Sequence, residues 1–304
     1  MYIALYKSKQ FLAPLIKIIV IVICAYVLYL QWIERPLRFD TILFSLQKLP
    51  WFTLPLMISI SISSWLVESK KWQYLIRDFY VLGFRESVIQ NLTSQAASFI
   101  TPLRAGEFAM KSFFFTTSLR KKVWSRILAG NSSQMAVTAI LGSIGLLLYF
   151  QEQLELESLF PLIFTSSLLS LLVFTIVLWL MKKWDSGTMT VQKWCDTLLY
   201  SLLRYVLFAS NWLLILWLSD YESSTLLIIR NITVFYVAAS IIPVFQLFDI
   251  ALKWSVAAYV FQGSLYNAEL ILMATTLVWF TNSIVPTLLG CALFPFQKLT
   301  TTEE

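Results

Sequence analysis

Five apolar stretches, near residues 13–33, 50–67, 127–150, 159–181 and 197–218, limit this chain to very few kinds of fold. A helix needs about 20 mainly apolar residues to cross a hydrocarbon core of about 30 Å. Only helices and closed barrels satisfy every backbone polar group in that medium. Two further blocks, 225–262 and 268–294, hold two or three more segments, because Pro243, Gln246, Asp249 and Lys253 interrupt the first of them. The expectation is an all-α polytopic membrane bundle of about seven to nine membrane segments, forming one integral domain over residues 1–304. Composition agrees: 58% of residues are hydrophobic and 13% charged, where a soluble chain carries roughly a quarter charged.

Many of the 12 tryptophans stand near the ends of apolar runs, among them Trp32, Trp51, Trp72, Trp124, Trp184 and Trp217. An amphipathic ring prefers the headgroup layer there; Trp254 and Trp279 read as packing between helices. The chain has no histidine, which removes imidazole bases and the commonest metal ligand. Cys24, Cys195 and Cys291 are too scattered for a zinc knuckle or a disulfide framework. No enzyme activity, metal or cofactor is expected. Lys7 and Lys9 precede the first apolar run, which continues without a small-residue cleavage site and reads as an uncleaved span.

Basic residues concentrate in segments 68–86 (Lys70, Lys71, Arg77, Arg85), 111–126 (Lys111, Arg120, Lys121, Lys122, Arg126) and 182–196 (Lys182, Lys183, Lys193). Loops 151–158 and 219–224 carry acids and neither Lys nor Arg. The positive-inside bias then places the N-terminus in the cytoplasm and the chain in the cell (inner) membrane, provided that residues 88–110 enter and leave on one side. Loop 34–48, with Arg35, Arg38 and Lys48, is the exception. The net charge of +6 suits anionic lipid surfaces, and nucleic acid is not an expected partner.

The segment 88–115 is broken by Pro102, Arg104, Gly106, Glu107 and Lys111, so it either crosses or dips in and returns. Thr101 as N-cap and Pro102 at the first helical position predict a helix starting there. Arg104 in its first turn, with Gly106 permitting close approach, offers a seat for an anion such as a lipid phosphate. Glu107 and Lys111 share a helix face and can pair, either as a tether for a helix end or as part of a pathway, the use to which costly ionisable residues in apolar sequence tend to be put. Pro243, Asp249 and Lys253 echo this pattern in the second half, with spacing that differs by one residue. Two matching interruptions are the sequence pointer to a repeat-built transport site. Asn131, Gln134, Asn211 and Asn282 read as helix-to-helix hydrogen bonds, Arg204 and Arg230 as side chains that snorkel to the interface, and Glu68 as part of an interfacial belt or of the lining of the cytoplasmic entrance.

At these residues the chain resembles the membrane-region family of lysylphosphatidylglycerol synthases. The likeness rests on Trp65-x-x-Glu68-Ser-Lys-Lys71-Trp72, on Thr101-Pro-x-x-x-Gly106-Glu107-x-x-x-Lys111, and on the late segment from Pro243 to Asp249. The family's second motif usually reads Pro-Gly-Gly before a Glu, where this chain has Val244, Phe245 and Gln246 before Asp249. The resemblance implies a membrane domain that moves aminoacylated phospholipid between leaflets. Its soluble aminoacyltransferase domain has no counterpart in this sequence, so synthase activity is not implied.

The leading expectation is a flippase-like transporter whose partners are membrane lipids. Thr101, Arg104, Gly106, Glu107 and Lys111 would line a headgroup site, with Asp249 and Lys253 opposite. The headgroup would be zwitterionic, anionic or a lipid-linked sugar. The alternative is a scaffold or accessory subunit partnered with a cell-envelope enzyme. An intramembrane enzyme would need a pair such as Glu68 with Glu107, and nothing in the sequence brings those two together.

Overall fold

The computed structural model describes residues 46–101, 104–150, 189–219, 223–241, 249–262 and 268–297, with residues 40, 179, 182 and 183. The stretch 13–33, loop 151–158, nearly all of 159–181 and the residues Pro102 and Pro243 lie outside the described residues. The elements are α1 (Thr53–Ile76), α2 (Phe84–Phe99), α3 (Ala105–Phe113), α4 (Arg120–Phe150), α5 (Val191–Leu218), α6 (Thr225–Ile241), α7 (Asp249–Val260) and α8 (Ala268–Trp279). A π-helical turn, Phe280–Ile284, joins α8 to α9 (Val285–Leu293). Among the described residues there is no strand.

Among the described residues, three helices are long and apolar enough to cross a membrane: Arg120–Phe150, Val191–Leu218 and the continuous Ala268–Phe296. The fold is that of a helical membrane protein. α1 occupies the expected 50–67 span but is not among the three, and it turns Ser61, Ser64, Glu68, Ser69 and Lys71 into the protein interior.

α1 and α5 run antiparallel, held by a ladder of polar contacts. Asn211 Nδ2 donates to the Met57 carbonyl (3.3 Å), Arg204 to Glu68 (2.9 Å) and Lys71 to Ser201 Oγ (3.3 Å). The Tyr74 hydroxyl donates to Asp196, and Lys193 pairs with Asp78. Residue numbers rise along α1 as they fall along α5, which fixes the opposed directions. In lipid no hydrophobic force draws helices together, so such bonds and close packing do the work.

α2 and α3 pack against each other as a helical hairpin. At 16 and nine residues they reach about 24 and about 14 Å, short of a bilayer core. α2 is polar and buried: Ser87 Oγ donates to the Ser69 carbonyl (2.6 Å), and Gln90 Oε1 accepts from Trp72 Nε1 (2.8 Å). The two chain ends of the hairpin converge on one apolar cluster of Trp72, Ile76, Leu82, Phe115, Val123 and Ile127. The chain therefore enters and leaves the pair at the same end of the bundle.

The second half repeats the plan from the opposite end. α7 packs on α6, and the outer ends of α6 and α7 meet Met57, Ile215, Leu216, Phe261 and Leu270 in a second cluster. α2 packs on α9, as α6 packs on α4. Both contacts are close because of glycine. A Cβ on Gly290 would collide with the Leu92 carbonyl of α2, and one on Gly142 with the Val237 side chain of α6. Exchanging α1 with α5, α2 with α6, α3 with α7 and α4 with α8–α9 preserves the packing plan. Since α1 and α5 are antiparallel, the two units are inverted.

Candidate functional site

Inside the bundle lies a cavity of about 150 Å³. Gln95 of α2 and Arg104 at the hairpin turn reach it from one end, and Lys253 of α7 from the other. Trp65 of α1, Arg204 of α5, and Trp279, Asn282 and Ser283 at the π-helical turn complete much of the wall. π-Helical turns frequently mark functional sites. This one is pinned by Ser61 Oγ, which donates to the Thr281 carbonyl (2.7 Å), and by Trp65 Nε1, which donates to the Asn282 carbonyl (3.4 Å).

Each cation on the wall is backed by a carboxylate that does not reach the wall. Arg104 pairs with Glu107 (3.3 Å), Arg204 with Glu68 (2.9 Å) and Lys253 with Asp249 (2.5 Å). Glu107 also accepts from Lys111 (3.0 Å) and Asn131 Nδ2 (3.2 Å), while Glu68 pairs with Lys71 (2.7 Å). Lys71 donates to the Gly130 carbonyl (3.4 Å), next to Asn131, and the Lys111 ammonium lies over the Trp72 ring at 4.3 Å. Lys111 acts electrostatically on both carboxylates, so Glu68 and Glu107 belong to one buried network.

The geometry brings Arg104, Glu107 and Lys111 together with Asp249 and Lys253 at opposed hairpins, with Arg104 and Lys253 on one wall. Thr101 and Gly106 are both engaged with the backbone of the hairpin. The Thr101 hydroxyl accepts from the Gly106 N–H (2.8 Å) and donates to the Ala97 carbonyl (3.0 Å). A Cβ at Gly106 would strike that same carbonyl, so the glycine lets α3 close on α2. The α-helix runs from Ala105, preceded by Arg104 in the left-handed region (φ 58°, ψ 25°); Pro102, the first helical position the sequence predicts, lies outside the described residues. A non-glycine residue at positive φ is uncommon; here it turns the guanidinium toward the cavity and Glu107.

Three readings of single residues are corrected. Glu68 and Lys71 are buried, because the antiparallel α5 covers this face of α1, and do not form an interfacial belt. Arg204 does not snorkel: Glu68 holds it, and its guanidinium lies 4.8 Å from the Trp65 ring. Glu68 and Glu107 do share a network, through a contact between distant segments. Trp254 packs as expected, its Nε1 donating to Thr276 Oγ1 (3.0 Å). Trp279 lines the cavity. Asn131 and Asn211 bond across helices, as their positions suggested. The signal available for Arg204 was a lone arginine within an apolar run, unpartnered until an acid at matching depth on another helix is considered.

No protein-family model matches the chain, and no curated protein matches it.

Proposed function

We propose that this chain is a flippase-like membrane lipid transporter that binds the headgroup of a phospholipid or lipid-linked molecule in the central cavity and passes it between leaflets. The observation that carries this reading is the meeting of two inverted helical hairpins at one cavity lined by Arg104, Arg204 and Lys253. Inverted repeats whose broken helices meet near the bilayer midplane are a recurrent transporter plan. α2, α3 and α7 are too short to cross, and polar α2 is enclosed by protein, the condition under which broken helices are tolerated at membrane depth. In this reading α2–α3 re-enters from the cytoplasmic side, where Arg77, Arg85, Arg120, Lys121 and Lys122 gather, and α6–α7 from the other. The chain then sits in the cell (inner) membrane with a cytoplasmic N-terminus. The motif resemblance to the lysylphosphatidylglycerol synthase membrane region agrees with lipid handling. The role is not enzymatic: the acids that would do proton-transfer chemistry stand behind cations, away from the cavity.

The test is leaflet-resolved movement of fluorescent phospholipids by the purified protein in liposomes. The native protein should accelerate it, and the double variant Arg104→Gln/Lys253→Gln, inserted and monodisperse, should not. Native protein that moves no lipid, with growth defects that instead track loss of a co-purifying envelope enzyme, would support the scaffold reading.

A further inference from the structure

The wall of the cavity differs from the site as a whole in one respect: among the described residues it presents cations and no carboxylates. Arg104, Arg204 and Lys253 face it, while Glu107, Glu68 and Asp249 do not. Counting Lys71 and Lys111, five cations stand against three carboxylates in this cluster of described residues, leaving two positive charges without a counter-charge. Arg204 is largely enclosed while Arg104 and Lys253 are partly open, so the excess positive charge faces the cavity where an anion can meet it.

The donors without a partner point the same way. Gln95 is 3% exposed, and its Nε2 has no acceptor among the described residues; Arg204 Nε and Trp279 Nε1, on the same wall, likewise have none. All three are donors. The acceptors at the π-helical turn are already engaged, the Asn282 carbonyl by Trp65 and Asn282 Oδ1 by Asn211 Nδ2 (3.3 Å). A ligand here must supply acceptors and negative charge. At about 150 Å³ the space falls below the roughly 300–1,000 Å³ of a drug-sized pocket and amounts to about five water-sized groups. That is the size of a phosphate, with the remainder of the molecule outside.

We propose that the cavity selects a terminal phosphomonoester, entering as a dianion, over phosphodiester and ammonium-bearing headgroups. Two negative charges match the two uncompensated positive ones, and three terminal oxygens give the orphaned donors their acceptors. A phosphodiester offers one charge and two free oxygens. A choline, ethanolamine or aminoacyl group would place a cation against a wall with no carboxylate. Where the phosphate is carried by a lipid, the inference rests on the transporter reading; free inorganic phosphate carries the same chemistry.

The test is calorimetric titration of the full chain in detergent with dihexanoyl phosphatidic acid, dihexanoyl phosphatidylglycerol, dihexanoyl phosphatidylcholine and inorganic phosphate. Phosphatidic acid should bind at least about tenfold tighter than phosphatidylglycerol, the lower end of what one extra charge contact contributes between water and a protein surface, and phosphatidylcholine weakest. Its affinity should rise between pH 5 and 7.5 as the second phosphate proton, with a pKa of about 6, leaves; that of phosphatidylglycerol should stay flat. Gln95→Leu, which removes one neutral donor, and the half-exposed Arg104→Gln should each weaken phosphatidic acid binding severalfold without altering the elution profile. Equal affinity for all three lipids, or binding by both variants at native strength, overturns the proposal. If all three lipids are bound and moved alike, the transporter reading survives and this selectivity falls. If inorganic phosphate binds and no lipid does, the anion class stands and lipid transport falls.

Discussion

Glu107→Gln tests whether the buried network supports the fold. Glu107 and Lys111 are 5% and 2% exposed, and the carboxylate serves Lys111, Arg104 and Asn131 together. Removing one member of a buried ion pair costs about 3–5 kcal/mol, chiefly because the other is stranded. Two features lower that figure. The Trp72 ring, 4.3 Å from the Lys111 ammonium, retains up to about 2 kcal/mol of cation–π attraction in a desolvated setting. The amide oxygen that the substitution introduces still accepts one hydrogen bond, worth about 1 kcal/mol net. Arg104, with 47% of its side chain exposed, returns to water at little cost. With the two offsets together taken at about 2 kcal/mol, the expected loss is about 1–3 kcal/mol. Glu107→Gln with Lys111→Met, which removes both charges at similar volume, should recover to within about 1 kcal/mol of the native protein. Reversible unfolding in mixed detergent micelles, followed by tryptophan fluorescence, reads all three. A single variant as stable as the native protein, or a double variant no better than the single, refutes the argument that Lys111 depends on Glu107.

Gly106→Ala and Gly290→Ala should each lose about 1–3 kcal/mol by overpacking, because the new Cβ meets the Ala97 or Leu92 carbonyl, while Gly83→Ala, which meets only the flexible Glu86 side chain, should stay within about 0.5 kcal/mol; the same unfolding assay ranks them. Thr101→Val removes the acceptor for the Gly106 N–H and should cost about 0.5–2 kcal/mol, with phosphatidic acid affinity unchanged if Thr101 serves only the backbone. In a background lacking the native cysteines, a cysteine at Ser223 should react with an impermeant thiol reagent on intact cells and one at Ser118 should not; labelling at Ser118 reverses the proposed orientation.

Helical membrane class was legible because it rests on the length of apolar runs, a local property. The pairs Glu107–Lys111 and Asp249–Lys253 were legible for the same reason: one helical turn separates their members, and both form. What failed depended on partners far apart in sequence. Glu68 sits at the end of an apolar run beside two lysines, which describes an interfacial belt equally well, until Arg204, 136 positions away, covers it. The left-handed conformation of Arg104 just before α3 was not legible, because positive φ at an arginine is a backbone choice that propensity disfavours. Gly106 carried a true signal of close approach, and the approaching group is the Ala97 carbonyl.

The inverted plan also accounts for why cations, and not acids, reach the cavity. Glu107 lies in the first turn of α3 and Asp249 in the first turn of α7. A carboxylate at a helix N-terminus interacts favourably with the unsatisfied N–H groups and the helix dipole, by about 0.3–1 kcal/mol, and each here also has a lysine one turn on. Both acids are therefore engaged within their own hairpins. The basic side chains are committed less fully: Arg104 stands before its helix and Lys253 one turn inside its own, so the two units supply cations from different positions of an otherwise shared plan. Symmetry in the backbone thus coexists with asymmetry on the wall. A phosphate tethered through one oxygen is itself asymmetric, and a wall that carries Arg104, Arg204 and Lys253 can hold its three free oxygens while leaving the ester side open.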